Sequence, residues 1–599
     1  TRHNIQSTSE RICDTFTIVD STQSAQSHLL LTPDLALCDN CRRELHDREN
    51  RRYQYPFTTC LLCGPRYSIT SQLPYDRIHT TMDPFVMCPS CQKEYNNPLN
   101  RRHYSQTNSC RDCAVELSIT DKNGHIITNN PDAIIQMMAD VIEDGLLLAV
   151  KGIGGFLLMA DPGNAKAVEL LRQRKKRPTK PFALLYPSIE SIRKDMHVSE
   201  QEEEALCSVQ SPVVLLERKH PALSYNPELI APGLNRIGVM LPYAPMLEIL
   251  MRRWGKPLIA TSGNISRSPI IYENKKAIKV LGSVVDFIVI DNREIVVPQD
   301  DSVIQFTRQH RQPVFLRRSR GYAPTLLPNP LPATQRTILS MGGELKSTFA
   351  LQNQENLYVS QYLGDLESYD TQQAFEHTLH HLLNLLNVRP DEILIDSHPL
   401  YFSSQIGKAL SAQYGVELHE VQHHKAHFGA VLAENQLLES TGPILGVIWD
   451  GTGWGDDGAI WGGEFLNYHN GSIQRIEHLD YFPHILGDKL SKEPRLSALA
   501  LCRDIEEASP VLCKKFSHQE WKYFHQALIS EKHLASSSMG RLFDAAASLL
   551  GLCDAATYEG EGAMYLESLA SKVTSDLAPW KVDGTSTRAL LTCLVRGIV

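Results

Sequence analysis

Hydrophobic residues between positions 132 and 320 alternate between two periods. The segment AIIQMMADVIEDG repeats its apolar residues with helical period and ends at Gly145. The segments LLLAVKGIGGFLLMA, PFALLYP, SPVVLLER, PLIATSGN and DFIVID are short apolar runs typical of buried strands. This alternation predicts an α/β domain, which we place at residues 131–320.

A second α/β region follows the linker GYAPTLLPNPLPATQRT, whose four prolines mark a boundary. The segment TILSMGGELKSTFALQ predicts a hairpin, and DEILIDSHP predicts a strand. PILGVIWDGTGWGDDGAIWGGEFL predicts a strand, a glycine turn and a second strand. SSMGRLFDAAASLLGL predicts an amphipathic helix opened by serines suited to an N-cap. We place this domain at residues 337–599.

The start of the chain is polar, and residues 1–30 predict a tail or linker without a signal peptide. The longest apolar run, GLLLAVKGIGGFLLMA, is interrupted by Lys151 and by glycines, so it does not predict a membrane span. We therefore expect a cytoplasmic protein that binds no membrane. The 59 Lys and Arg residues against 68 Asp and Glu residues give a net charge of −9. Such a charge gives no overall attraction to nucleic acid, and no nucleic-acid partner is expected.

Eight of the 14 cysteines form a repeat with a period of fifty residues. Each unit reads CxxC, eighteen residues, CxxC, and the flanking segments NRRYQY and NRRHYS repeat as well. In a chain without a secretory signal this spacing favours metal thiolates over disulfides. The first unit contains Cys38, Cys41, Cys60 and Cys63, and the second contains Cys88, Cys91, Cys110 and Cys113.

Each unit supplies the four thiolates of a tetrahedral zinc site, so residues 31–120 predict tandem four-cysteine zinc-finger units. We expect two structural zinc ions, because a four-cysteine site has no open position for catalysis. Pairing within each unit is our expectation, and pairing across the units stays open. A nucleic-acid finger is the alternative, since CRRELHDRENRR carries five arginines, but three acidic residues dilute their charge.

A basic run, LRQRKKRPTKPFALL, contains six cations and no acidic residue. Such a run usually marks a solvated face, but two prolines and a following strand hold it near a sheet edge, which suits a polyphosphate. Further on, ATSGN ends a strand with small residues whose amides and hydroxyls suit an adenylate. A plain turn at the strand end is the alternative for ATSGN. The cations are Arg172, Arg174, Lys175, Lys176, Arg177 and Lys180.

His423 and His427 are four residues apart in VQHHKAHFGAVLAEN, so they project from one face of a predicted helix. Asp450 follows at the head of the glycine segment, and two imidazoles with a carboxylate suit a metal ion. Two ordinary surface histidines are the alternative. His424 occupies the position of the general-base Glu in H-E-x-x-H, which disfavours a protease, and we treat it as a neighbour rather than a ligand.

Glycines after Asp450 allow the backbone to approach a phosphate closely, although D-G-T-G is also a common turn. The segment GGELKST is a candidate for a second phosphate-binding hairpin.

The basic run followed by S-x-N resembles the YrdC-like domain. The resemblance implies ATP binding and transfer of AMP to a carbamate at Lys175, Arg177, Lys180, Ser262 and Asn264.

The histidine and glycine segments resemble the TsaD-like domain, which has the actin-like and sugar-kinase-like α/β fold. That resemblance implies a catalytic centre at His423, His427 and Asp450 that binds iron or zinc. It also implies that Gly540 and Asp544 lie near the bound nucleotide, while Gly451 and Gly453 are candidates for phosphate contact from the glycine pattern itself. A solvent-facing helix acid is the alternative for Asp544. YEGEGAM (558–564) matches a family motif to which we assign no role.

The order of these modules resembles the HypF carbamoyltransferase family of nickel–iron hydrogenase maturation. The resemblance implies that carbamoyl phosphate is hydrolysed to carbamate and that ATP with Mg²⁺ converts the carbamate to carbamoyl-AMP. The carbamoyl group would then pass to the C-terminal cysteine of HypE, where it becomes a cyanide ligand. Members normally begin with an acylphosphatase domain and continue past LLTCLVRGIV. We therefore expect a truncated chain that is impaired in carbamoyl phosphate hydrolysis and in transfer.

Three other functions stay open. An O-carbamoyltransferase for a small-molecule hydroxyl would share both α/β domains but not the tandem cysteine units. A threonylcarbamoyl-transfer protein for tRNA fits poorly with the acidic balance of the chain. A non-enzymatic zinc scaffold would show no ATP–pyrophosphate exchange.

Overall fold

A computed structural model describes residues 30–113, 115–219, 223–266, 268–529, 533–572 and 586–598. The predicted polar segment 1–30 lies outside these ranges except for its last residue. None of the described helices combines the length and the hydrophobicity that crossing a bilayer requires. The helices are Asp39–His46 (α1), Pro89–Asn96 (α2), Pro131–Glu143 (α3), Ala165–Lys175 (α4), Ile189–Asp195 (α5), Glu200–Cys207 (α6), Pro227–Ile230 (α7), Pro245–Trp254 (α8), Asn274–Leu281 (α9), Tyr369–Leu386 (α10), Phe402–Tyr414 (α11), His423–Glu434 (α12), Lys489–Lys492 (α13), Pro494–Leu501 (α14), Ser509–Leu512 (α15), His518–Ile529 (α16), Met539–Leu549 (α17), Glu561–Ala570 (α18) and Thr587–Ile598 (α19).

The strands form three sheets in the described part of the chain. The strands are Leu117–Asp121 (β1), Ile126–Thr128 (β2), Leu148–Lys151 (β3), Phe156–Ala160 (β4), Ala183–Leu185 (β5), Val213–Glu217 (β6), Arg236–Met240 (β7), Leu258–Ser262 (β8), Phe287–Asp291 (β9), Val303–Phe306 (β10), Pro313–Arg317 (β11), Thr337–Ser340 (β12), Ala350–Asn353 (β13), Asn356–Val359 (β14), Glu392–Asp396 (β15), Glu417–Val421 (β16), Ile444–Trp454 (β17), Ile460–His469 (β18), Ser472–His478 (β19), Phe482–His484 (β20) and Leu534–Ser536 (β21).

The first sheet contains every strand predicted between residues 132 and 320. Its order is β11-β10-β6-β7-β5-β8-β4-β3-β9-β1-β2, with parallel and antiparallel pairs mixed. The predicted helix is α3, and Gly145 just beyond it adopts a φ of 75° that favours glycine. One core packs the first zinc unit, through Leu45 and Phe57, together with α3 and α8 against this sheet. The first zinc unit is therefore built into the domain core.

The second and third sheets form the two halves of the C-terminal region. β14-β13-β12-β15-β16 contains the predicted hairpin as β12 and β13 and the predicted strand as β15. β17-β18-β21-β20 is joined by β19, which pairs with β18. The predicted serine-capped helix is α17, where the Ser538 side chain accepts a hydrogen bond from Arg541 N. Helix α12 connects the two sheets and presents His423 at its first position.

The predicted strand, glycine turn and second strand are present, but the turn does not begin at Asp450. Strand β17 continues through D-G-T-G to Trp454, and the turn falls four residues later, where Gly458 N donates to Gly455 O at 3.0 Å. Trp449 lies opposite Gly463, but Gly453 lies opposite Trp461, so β17 has two more residues than β18 over this interval. The surplus forms a β-bulge at Asp450, and a bulge can turn a side chain out of the regular alternation.

Candidate metal centre and nucleotide cleft

The eight repeated cysteines gather into two clusters, one in each unit. In the first cluster the neighbouring sulfurs lie 3.6 to 3.9 Å apart, and the second cluster has the same spacings. Four sulfurs about 2.3 Å from a tetrahedral zinc ion stand about 3.8 Å apart, whereas a disulfide requires about 2.0 Å. The donor sets therefore fit two zinc ions, each held within one unit.

Two buried arginines connect the zinc units. Arg52 of the first unit pairs with Glu94 of the second at 2.6 Å and donates to Ser109 O at 3.1 Å. Arg102, fifty residues later, pairs with Glu44 of the first unit and donates to Thr59 O at 3.0 Å. These contacts are crossed, because each arginine neutralises a carboxylate of the other unit. The RR pair that repeats in NRRYQY and NRRHYS is thus part of the packing between units.

His423, His427 and Asp450 meet between the second and third sheets. His423 Nε2 lies 3.1 Å from Asp450 Oδ2 and 3.2 Å from His427 Nε2, and His427 Nε2 lies 3.9 Å from Asp450 Oδ2. Ligand atoms about 2.1 Å from one metal ion stand about 3.0 to 3.4 Å apart, so this set fits an ion with little adjustment. Asp450 Oδ2 is buried and has no well-formed hydrogen bond in the described ranges, as expected of an atom that binds a metal.

Charges at this cluster are strongly coupled. Burial would lower the pKa of His423, but the hydrogen bond to Asp396 and the nearby negative charge of Asp450 outweigh burial and raise that pKa to about 9. Burial would raise the pKa of Asp450, but the adjacent positive charge of His423 lowers it to about 2. Burial lowers the pKa of His427, so its imidazole is neutral at pH 7 and can offer a lone pair.

The glycines of the bulge have different surroundings. A Cβ at Gly453 would collide with the His424 ring and lie 2.8 Å from Cδ2 of His423, so this glycine makes room for the histidines. The need for a glycine at position 453 is therefore explained by the histidine rings, and no contact with a phosphate is required to explain it. At Gly451 a Cβ would meet nothing within 4 Å, so this position faces open space.

The N-terminus of α17 lies beside Gly451. A Cβ at Gly540 would lie 2.9 Å from Gly451 Cα, and the Ser538 hydroxyl donates to Gly451 O at 2.6 Å. Ser538 accepts from Arg541 N, so the amides that precede Arg541 are the ones open next to the bulge, which suits a phosphate. Asp544 in the same helix is buried and pairs with Arg541 at 2.7 Å, so it is not a solvent-facing acid.

Lys175 joins the two elements of the predicted adenylate site. Its buried ammonium donates to Ser262 O at 2.5 Å, to Asn264 O at 3.0 Å and to Asn264 Oδ1 at 2.7 Å. These three bonds use all three ammonium protons. Lys175 therefore shapes the S-x-N turn and has no proton left for a phosphate in this arrangement.

Other cations of the basic run either bond to main-chain oxygens of the protein or line the cleft. Arg172 donates to carbonyl oxygens of Leu229 and Ile230 and of the loop 177–180, so it is a scaffold residue. Arg177 donates to Lys180 O at 3.2 Å and to Thr261 Oγ1 at 3.3 Å. No carboxylate of the described residues lies within ion-pair distance of Lys180. Desolvation in the cleft lowers the pKa of Lys180, and the positive charges of Arg177 and Arg317 lower it further, to about 8. Part of the Lys180 side chain is still accessible to solvent.

The YEGEGAM motif connects the C-terminal region to the loop that carries Lys180. Glu561 is buried and accepts from Thr179 Oγ1 at 2.5 Å, from Thr557 N at 2.6 Å and from Tyr565 OH at 2.9 Å. Lys346, from the GGELKST hairpin, pairs with Glu559 at 3.3 Å. The YEGEGAM motif thus contacts the loop that carries Lys180 and the candidate phosphate-binding hairpin GGELKST.

Two residues that contact the metal cluster or line the cleft beside Lys180 were not predicted from the sequence. Asp396 accepts from His423 Nδ1 at 2.7 Å, and Arg317 lines the cleft beside Lys180 while pairing with Asp300 at 2.6 Å. An acid at the end of an apolar strand was the available signal for Asp396, as it was for Asp450. The basic segment LRRSRG, which begins at the end of β11, was the signal for Arg317.

Family models match most of the chain. A model described as "HypF finger" matches residues 37–70 and 87–120. A Sua5, YciO and YrdC model described as "Telomere recombination" matches residues 140–319. "HypF Kae1-like domain" matches residues 333–434, and "Carbamoyltransferase, Kae1-like Domain, second subdomain" matches residues 446–598. These matches confirm the predicted fold class of tandem zinc fingers, a YrdC-like domain and an actin-like α/β domain.

Whole-chain comparisons find similar proteins. Carbamoyltransferase HypF of Synechocystis is 43% identical over 92% of this chain and 73% of its own length. The crystal structure of full-length HypF in a phosphate- and nucleotide-bound form has a TM-score of 0.86 at 35% identity, over 94% of this chain and 72% of that one. The crystal structure of HypF from T. kodakarensis has a TM-score of 0.88 at 35% identity, over 96% of this chain and 75% of that one.

Proposed function

The chain belongs to the HypF carbamoyltransferase family, and on that premise we propose that it makes carbamoyl-AMP and transfers the carbamoyl group to the C-terminal cysteine of HypE. Water hydrolyses carbamoyl phosphate to carbamate and inorganic phosphate. In the first step a carbamate oxygen attacks the α-phosphorus of ATP and pyrophosphate leaves. In the second step the cysteine thiolate attacks the carbamoyl carbon and AMP leaves.

The cleft of the YrdC-like domain is the proposed site of the first step. Lys180 makes no ion pair with the described residues, and unlike Arg172, Lys175 and Arg177 its side chain is not engaged by their oxygens, so it is available for the phosphates that ATP brings with Mg²⁺. Lys175 holds Ser262 and Asn264 in a tight turn at the end of β8. The Ser262 hydroxyl already donates to Asn264 Oδ1 at 3.0 Å, so it turns its lone pairs outward, where they can accept from the adenylate.

The cluster of His423, His427 and Asp450 is the proposed site of the second step. A bound iron or zinc ion would act there as a Lewis acid toward the carbamoyl oxygen or the adenylate phosphate. The two imidazoles and the carboxylate would hold it, and the N-terminus of α17 beside Gly451 would take the AMP phosphate.

One observation carries the proposal: Glu561 joins the two sites in a single packed unit. Its carboxylate binds Thr179 of the cationic loop from a helix that packs on α17, whose N-terminus lies against the Asp450 bulge. Such an arrangement suits two consecutive reactions on one intermediate better than two independent activities.

ATP–pyrophosphate exchange tests the first step. We expect exchange that depends on carbamoyl phosphate or on carbamate supplied directly, and we expect K180A to abolish it. A peptide ending in cysteine should then stimulate AMP release, whereas the same peptide ending in serine should not. H427A should keep the exchange and lose the peptide-dependent release. Exchange that needs neither donor, or no exchange with either, would refute the proposal.

A further inference from the structure

His423 and His424 are adjacent in sequence but have different hydrogen-bond partners. His423 Nδ1 lies 2.7 Å from Asp396 Oδ2, and the Asp396 side chain is 8% exposed. A carboxylate can only accept here, so Nδ1 of His423 carries a proton. That arrangement turns Nε2 of His423 toward Asp450 and His427, so Nε2 is the nitrogen that would exchange its proton for a metal.

Gln422 places the proton of His424 on the opposite ring nitrogen, Nε2. Its Oε1 accepts from Lys425 N at 2.9 Å, and its Nε2 donates to Trp454 O at 2.8 Å. A main-chain N–H and a main-chain carbonyl thus fix which end of the amide is the donor. That donor lies 3.1 Å from His424 Nδ1, so Nδ1 accepts and the proton of a neutral His424 is on Nε2.

The protonated Nε2 of His424 faces the metal cluster. His424 is 0% exposed, and its Nε2 has no hydrogen-bond partner within the described ranges. Asp450 Oδ2, the other unpartnered buried atom of this cluster, lies 3.7 Å away. This distance is too long for a hydrogen bond, so the N–H acts on the carboxylate through its dipole. A nitrogen that carries a proton cannot bind a metal, which accounts for His424 being a neighbour of the site.

We propose that Asp396 and the Gln422–His424 pair are positioning residues, which hold neighbouring histidines in opposite tautomers so that His423 binds the metal and His424 orients Asp450. The inference rests on the metal site of the proposed function. It assigns roles to three residues beyond the ligands themselves. Loss of such partners typically weakens metal binding by about 10- to 100-fold.

Four variants separate the parts of this proposal. D396N removes the charge that orients His423. Q422E keeps the acceptor that caps α12 but replaces the amide donor by an acceptor, which moves the His424 proton to Nδ1. H424L removes the N–H, whereas H424Q places an amide N–H near the position of Nε2. The matched control is Q413E, an exposed glutamine of α11 that makes the same change of charge.

Two measurements apply to each variant: the affinity of the third zinc equivalent by competition with a chelator, and the histidine tautomers by ¹⁵N NMR of the full chain. We expect D396N, Q422E and H424L to lower the zinc affinity by about 10- to 100-fold. H424Q should keep most of the affinity, and Q413E should keep all of it. In the wild-type protein His424 should show a protonated Nε2, and Q422E should move that proton to Nδ1.

The outcomes are distinguishable. A His424 protonated at Nδ1 in the wild-type protein, or unchanged affinity in D396N and Q422E, would overturn this inference and leave the metal site intact. The metal site itself requires that the wild-type protein bind a third zinc equivalent and that H427A lose it. If this result is not obtained, both the proposed metal site and this inference are refuted.

Discussion

The guanidinium of Arg51 donates to Cys91 Sγ at 2.8 Å, although these residues belong to different zinc units. The contact is reciprocated, because both terminal nitrogens of Arg101 lie 3.3 Å from Cys41 Sγ. A zinc ion with four thiolates carries two negative charges, and an arginine of the other unit offsets part of that charge in each cluster. Neither unit contains the whole of its own zinc environment.

Substituting these arginines should produce a crossed loss of zinc. R51A should speed the chelator-induced release of zinc from the second unit, and R101A from the first, each by about 10-fold or more. Differential alkylation of the two cysteine sets, read by mass spectrometry, assigns the loss to a unit. R48A is the matched control, since Arg48 is an exposed arginine of the same segment. Release confined to the unit that carries the substitution would contradict the crossed arrangement.

Adding one methyl group at Gly453 should empty the histidine site. The Cβ of G453A would collide with the rings of His423 and His424, so the imidazoles must move from the positions that meet Asp450. We expect G453A to lose the third metal equivalent and to keep two zinc ions, as measured by elemental analysis. G451A is the control for metal content, because its Cβ would meet nothing within 4 Å. Equal metal loss in both variants would exclude this steric explanation.

Removing the Glu561 carboxylate should loosen two distant segments together. E561A leaves Thr179 Oγ1 and Thr557 N without their acceptor, and hydrogen bonds to a charged group contribute about 1.5 to 3 kcal/mol each. We expect faster hydrogen exchange in residues 178–182 and 557–565, measured by mass spectrometry. E559Q breaks only the exposed pair with Lys346 and should leave both segments unchanged. A change confined to α18 would argue against a connection between domains.

Nucleotide affinity should fall in alkaline solution. The pKa of Lys180 in the free protein is about 8, and its protonated form attracts phosphate. Bound ATP raises this pKa, so affinity stays level below pH 8 and decreases as pH rises above it, because binding must then take up a proton. Calorimetry in buffers of different ionisation enthalpy measures that uptake. The uptake should vanish in K180A, and an unchanged uptake would assign the proton to another group.

Local patterns predicted much of the fold. The period of CxxC indicated both zinc units, apolar periodicity placed α3, β8 and α17, and the resemblance to the HypF carbamoyltransferase family is confirmed. The assignments of the individual site residues remain predictions. These features depend on residues close in sequence, which is why periodicity and spacing identify them.

Features that depend on distant partners were not predictable in the same way. Glycines 451, 453 and 455 have the composition of a turn, and only the pairing of Trp449 with Gly463 and of Gly453 with Trp461 identifies a bulge. Lys175 is one cation among six in its run, and its role appears only where Ser262 and Asn264 fold over it. Asp396 precedes His423 by 27 residues, so no local spacing connects them.

The crossed arginines make the two zinc units resemble the subunits of a twofold-symmetric homodimer that share one polypeptide. In a true homodimer every substitution affects both subunits, but here each half can change alone. Arg42 and His46 of the first half both reach Glu248 on α8, whereas their counterparts Gln92 and Asn96 bond to each other at 3.1 Å. The first zinc unit thus binds the domain core through this helix face, whereas the equivalent residues of the second unit bond only to each other among the described contacts. Duplication within a chain has thus preserved the symmetric contact and released the rest of the surface for divergence.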